Sequence, residues 1–112
     1  ENGGNGIKLN SSDISNQDLQ LMREASSPGK VSVAVDPKLI GKVNLRLVAN
    51  KIAGEATPAT YECRAAAIPQ ALLASQPGAV NAAGLAKIIP GWGHTDDFIA
   101  PWFATLEAKQ AK

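Results

Sequence analysis

Apolar residues in this chain change their spacing several times, and each change marks an expected element. Ile7 and Leu9 alternate with Lys8 and predict a short strand. A helix start follows. Ser15 stands three residues before Asp18, with Ile14 ahead of it and Leu19 behind. A hydroxyl and a carboxylate at that spacing satisfy backbone donors reciprocally, and the flanking apolar pair staples the chain's entry. The helix is expected over 16–25, with Leu19 and Met22 on its buried side, and Ser26, Ser27, Pro28 and Gly29 end it. Val31, Val33 and Val35 then alternate with Ser32 and Ala34, which predicts a strand whose valines face a core.

Beyond Asp36, Pro37 pre-sets a turn that Gly41 releases. Val43, Leu45 and Leu47 lie opposite Asn44, Arg46 and Val48, so residues 29–47 read as two strands joined by a compact turn, with a helix lying across Leu19, Val33 and Leu45. The stretch 52–58 reads as a hairpin end or loop. Thr60, Tyr61, Cys63 and Arg64 suit a third strand, although Ala65, Ala66 and Ala67 equally suit a helix. The second half is rich in alanine. Pro69 opens a helix with Leu72 and Leu73 in its core, and Asn81 caps another that carries Leu85, Ile88 and Ile89. A last helix over 97–109 puts Ile99, Trp102, Phe103 and Leu106 on one stripe, with Pro101 either starting or kinking it. The expected fold class is α+β, a small mixed or antiparallel sheet packed by helices with a helix-rich C-terminal half. Residues 1–5 are expected to be a flexible N-terminus and 6–112 one small domain.

The order strand, capped helix, strand, Asp36-Pro37 turn and Gly41-Lys42-Val43 strand resembles the short N-terminal domain of bacterial outer-membrane secretins, shared with some TonB-dependent receptors. The matching positions are Ile7 to Leu9, Leu19 to Met22, Val31 to Val35, Asp36-Pro37, and Gly41 to Leu47, and they lie in the first half of the chain. The chain departs from that family after Leu47, where residues 52–58 stand in place of a second amphipathic helix. The resemblance implies a periplasmic or cell-envelope module that makes protein contacts and catalyses nothing.

Charge narrows the partners further. Eleven Lys and Arg face ten Asp and Glu, a net charge of +1 that gives little attraction for nucleic acid or anionic lipid. The basic excess between Lys30 and Arg64 reads as a solvated face. Cys63 is the only cysteine, which excludes an internal disulfide. No basic segment and apolar run follow Glu1, so no signal peptide is visible, and no apolar stretch is long enough to span a bilayer.

Candidate chemistry gathers at Trp92-Gly93-His94-Thr95-Asp96-Asp97, where the only histidine adjoins two carboxylates. His94 as a general base oriented by Asp96 or Asp97, with Cys63 as a distant nucleophile, is one reading. The simpler one makes Thr95 or Asp96 a helix cap and His94 an exposed loop residue. One His and one Cys do not furnish a zinc set, and the glycines lack phosphate-loop or dinucleotide spacing, so no metal and no cofactor is expected. Trp92, His94, Trp102 and Phe103 form the expected binding set, with Trp92 either a core lid or a contact residue. A strand edge near Val31 or Val43 is a further docking site. The sequence thus points to a non-enzymatic interaction or assembly module that engages another protein or the rest of a multi-chain assembly. The alternative is a small-ligand-binding protein or small enzyme whose pocket the Trp92 loop closes.

Overall fold

A computed structural model describes residues 6–103. Its elements are β1 (Leu9–Ser12), α1 (Asn16–Arg23), β2 (Gly29–Ala34), α2 (Pro37–Ile52), β3 (Ala66–Pro69), α3 (Gln70–Ala74) and a 3-10 helix at Ala82–Lys87. The sheet is mixed, in the order β1-β2-β3. β1 runs parallel to β2, and β3 returns antiparallel with Ala34 opposite Ala66 and Val31 opposite Pro69. The α+β expectation therefore holds. The C-terminal half, however, contains only short helical pieces among the described residues. The flexible start expected at 1–5, and Leu106 and Lys109 of the expected last helix, lie outside the described residues.

α1 forms as its start signal dictates. The Ser15 hydroxyl accepts from Asp18 N at 3.1 Å, and Asp18 Oδ2 accepts from Ser15 N at 2.9 Å. Leu19 and Met22 are its buried residues. They join Ala34, Ile68, Leu73, Leu85 and Trp92 in one core cluster. Arg23 ties α1 to the end of α3 through the carbonyls of Leu73 and Gln76, at 3.2 and 2.7 Å. The Leu73 carbonyl also accepts from Gln76 N at 3.2 Å, so the guanidinium closes over the turn that ends α3.

Two expectations about residues 29–47 are corrected. The second is a helix: α2 begins with Asp36 accepting from Lys38 N at 2.9 Å and Pro37 in the first turn, and runs through the stretch read as a strand at Val43–Leu47. Asp36-Pro37 is a helix-start signal of the same kind as Ser15. Leu39 and Val43, one turn apart, supply the buried face. The strand β2 was expected correctly but faces the other way. Ser32 and Ala34 are 2% and 4% exposed, whereas Val33 is 46% exposed. Ser32 enters the core because its hydroxyl donates to the Asp13 carbonyl at 2.8 Å. A core of Leu19, Val33 and Leu45 is thereby excluded.

Smaller shifts follow the same logic. The first strand lies at Leu9–Ser12 instead of Ile7–Leu9, and the third at Ala66–Pro69 instead of 60–64. Asn81 caps as expected, accepting from Gly84 N at 2.8 Å, but the turn it starts is 3-10. A helix beginning at Asp97 does not form, since Phe98 has φ +61° and residues 97–98 and 101–102 are turns.

Candidate functional site

Because β1 and β2 are parallel and joined through α1, their carboxyl ends open on the same edge of the sheet. Ligands of such βαβ units bind beyond that edge, where diverging loops leave a crevice. Two acids stand there. Asp13 follows β1 with φ +70°, its carboxylate accepting from Ile14 N at 2.8 Å and its own N–H donating to Val33 O at 3.0 Å. Asp36 follows β2, half-buried. One of its oxygens caps α2, and the other lies against Gly93. Gly91 and Gly93 both adopt positive φ, at +76° and +69°, so the chain turns sharply on either side of Trp92 and presses its backbone onto the acid.

The segment after Gly93 is clasped to α2. Arg46 Nη1 donates to the carbonyls of Thr95 and Asp97, at 2.7 and 3.2 Å, and Asn50 Nδ2 to that of Phe98 at 3.0 Å. Asn50 Oδ1 is buried and has no partner among the described residues. The Tyr61 hydroxyl donates to Asp97 Oδ2 at 2.6 Å, while its ring meets Phe98 edge to face at 5.0 Å. That hydrogen bond favours the phenol in its neutral form and the carboxylate in its charged form. Tyr61 is accordingly held above its ordinary pKa and Asp97 below its own, with a hydrogen bond from Thr95 as the second cause for Asp97.

The residues expected to bind are distributed between these features. Trp92 belongs to the core cluster and is a lid on it. His94 is exposed, with Nε2 3.6 Å from Asp96 Oδ1. Trp102 and Phe103 stack on each other with ring centroids 4.3 Å apart, and both are half-buried. Cys63 is a half-buried free thiol. Among the described residues no three His, Cys, Asp or Glu side chains converge as metal ligands. Asp13 and Asp36 were missed because parallel pairing, which brings them to one edge, joins residues distant in sequence. The available signal was an acid within two residues of the end of each strand of a strand–helix–strand run.

A hollow of about 750 Å³ lies beside β1 and α1 and is bordered by Leu9, Ser11, Asp13, Ser15, Asp18 and Ser32. Its size suits a small ligand, and part of its polar lining is already engaged. Ser15 and Asp18 bond each other, Asp13 bonds Ile14, and Ser32 bonds Asp13. Asn10, Ser11, Ser12 and Glu24 also line it, and Asp13 is shared between this hollow and the carboxyl edge.

Comparison with known proteins bears on both readings of the sequence. No protein-family model and no curated protein matches the chain. The solved structure of a sugar ABC transporter protein from Yersinia enterocolitica subsp. enterocolitica 8081 is 79% identical over 96% of the chain, with a TM-score of 0.87. A 5-methylthioribose transporter solute-binding protein from Thermotoga lettingae TMO shares the fold over 91% of the chain, with a TM-score of 0.78 at 24% identity. The chain spans 32% and 31% of the lengths of these two proteins. A likeness at 79% identity overturns the resemblance to the N-terminal domain of secretins and TonB-dependent receptors, and the interaction-module reading that rested on it. The periplasmic or cell-envelope location stands. No described helix is long and apolar enough to cross a membrane.

Proposed function

We propose that this chain is part of a periplasmic solute-binding protein that delivers a sugar to an ABC transporter. The observation that carries this reading is the 79% identity, along 96% of the chain, to the Yersinia sugar ABC transporter protein. The geometry supports it. Sugars are held by carboxylates and amides that accept and donate to ring hydroxyls, and Asp36 brings a carboxylate to the carboxyl edge, one oxygen capping α2 and the other beside Gly93. Asp13 contributes a second acid at the same edge, and the Gly91–His94 turn forms a wall whose backbone lies against Asp36. In this reading the exposed His94 on that wall supplies a further partner for a sugar hydroxyl. In this reading the transporter's membrane subunits are the protein partner.

The test is calorimetric titration of the full-length protein with a panel of pentoses, hexoses and their derivatives. Binding of at least one sugar is expected, weakened about tenfold or more by Asp36→Ala as one charge-assisted hydrogen bond is lost. A folded protein that binds none of them would refute the reading, and unchanged affinity in Asp36→Ala would move the site away from this edge.

A further inference from the structure

Residues 92–98 contain no helix or strand, yet they are fastened at their two ends to different parts of the fold. Trp92 is buried in the core cluster with residues of α1 and β3. From Thr95 onward the backbone is held by α2. Arg46 Nη1 donates to the carbonyls of Thr95 and Asp97, and Asn50, one turn further along the helix, donates to that of Phe98. The Tyr61 hydroxyl adds a bond to the Asp97 carboxylate. No carboxylate pairs with Arg46 among the described residues. Its charge is committed to irregular backbone, where a charged donor makes a stronger bond than a neutral one.

Phe98 supplies an independent observation. Its φ of +61° lies in the left-handed region, which a non-glycine residue keeps only when its surroundings impose it. Those surroundings are Asn50 on its carbonyl and the Tyr61 ring against its side chain. Backbone held in this way is a feature of ligand clamps. Between the two fastenings stands Gly93, whose backbone lies against one oxygen of the Asp36 carboxylate. Lys38 N donates to the other oxygen, so the carboxylate is fixed on both sides only while the 92–98 strap is drawn onto α2.

We infer that Arg46 is a positioning residue: by drawing the strap onto α2 it seats Gly93 on Asp36 and presents that carboxylate, already oriented, to the sugar. The inference rests on the proposed function for the identity of the ligand and goes beyond it in assigning a residue that acts through another. An acid oriented in advance spares the complex the cost of ordering it on binding. A merely structural Arg46 would lower stability and leave its effect on affinity independent of Asp36.

A double-mutant cycle on the full-length protein separates the two, using calorimetric titration with whichever pentose or hexose of the panel binds wild type most tightly. Arg46→Met keeps the aliphatic stem and removes the donors. It is expected to weaken binding about tenfold, and to cost nothing further in an Asp36→Ala background. Arg46→Lys should restore affinity to within about threefold of wild type, because one nitrogen makes both bonds to the strap. Losses that multiply in the double variant would overturn the inference, as would unchanged affinity in Arg46→Met. If Arg46→Met does not fold, Tyr61→Phe removes a single hydroxyl from the clasp and is expected to weaken binding about threefold with the same dependence on Asp36.

Hydrogen exchange of the sugar-free protein reads the seat itself. The Lys38 and His94 amides, which donate to Asp36 and to the Gly91 carbonyl, should exchange about tenfold faster in Arg46→Met, or in Tyr61→Phe to a smaller degree, while those of α1 keep the wild-type rate. Faster exchange in a protein that binds no sugar would refute the proposed function and leave the strap's hold on Asp36 standing. Unchanged exchange would overturn the inference whatever the sugar does.

Discussion

Gly93 lies so close to the Asp36 carboxylate that a Cβ at position 93 would overlap it. Gly93→Ala must therefore both adopt φ +69° and displace the acid that caps α2. The expected destabilisation is about 1–3 kcal/mol, combining left-handed strain with loss of a cap. Gly54→Ala is the control, because Gly54 has φ +79° with nothing within 4 Å of its Cβ position and so reports strain alone. Urea titration of the two variants should place Gly93→Ala clearly lower. Equal midpoints would mean that Asp36 moves aside without cost.

At α1, Ser15→Ala removes the acceptor for Asp18 N and one half of a reciprocal pair. A loss of about 1 kcal/mol in chemical denaturation is expected. Ser15→Asp should recover most of it, and a variant as stable as wild type would show that Asp18 alone holds the turn.

Leu73 is fully buried between α1 and the sheet. Truncation to alanine should cost about 2–5 kcal/mol through lost burial and the cavity left behind. Thermal denaturation checks this against Leu72→Ala, whose side chain is only half-buried and whose cost should be clearly smaller, about 1 kcal/mol.

The Tyr61–Asp97 bond makes a signed prediction about pH. Asp97 has a folded pKa below its unfolded one, so its contribution is present above the unfolded value, about 4, and is lost as pH falls through the lower, folded value. Tyr61 has a raised folded pKa, so its contribution is complete below about 10 and is lost as pH rises through the higher, folded value. Tyr61→Phe should raise the Asp97 titration midpoint, followed by carbon chemical shifts of the carboxyl. A midpoint that does not move would assign the depression to Thr95 and the nearby arginines.

Local signals were read correctly where a few neighbouring residues decide the outcome, as at Ser15 and Asn81. Asp36-Pro37 is an equally local signal, but the alternation of Val43, Leu45 and Leu47 imitates a strand because α2 has apolar residues on both sides. β2 misled for a related reason: valines on one face and small residues on the other leave the inward side undetermined until Ser32 finds Asp13. β3 is four residues within an alanine-rich run, too short to carry a period. The candidate site was only half legible. The Trp92-to-His94 loop stood out through its composition, whereas Asp13 and Asp36 acquire meaning only once β1 and β2 lie parallel.

No residue of α2 belongs to the core cluster, whose members come from α1, β2, β3, α3, the 3-10 helix and Trp92. The backbone passes between that cluster and the α2 group three times: from Ala34 to Leu39, from Tyr61 to Ala66, and from Trp92 to Thr95. Asp36 and Gly93 meet across two of these crossings, so any displacement of one segment against the other bears directly on the acid that starts α2.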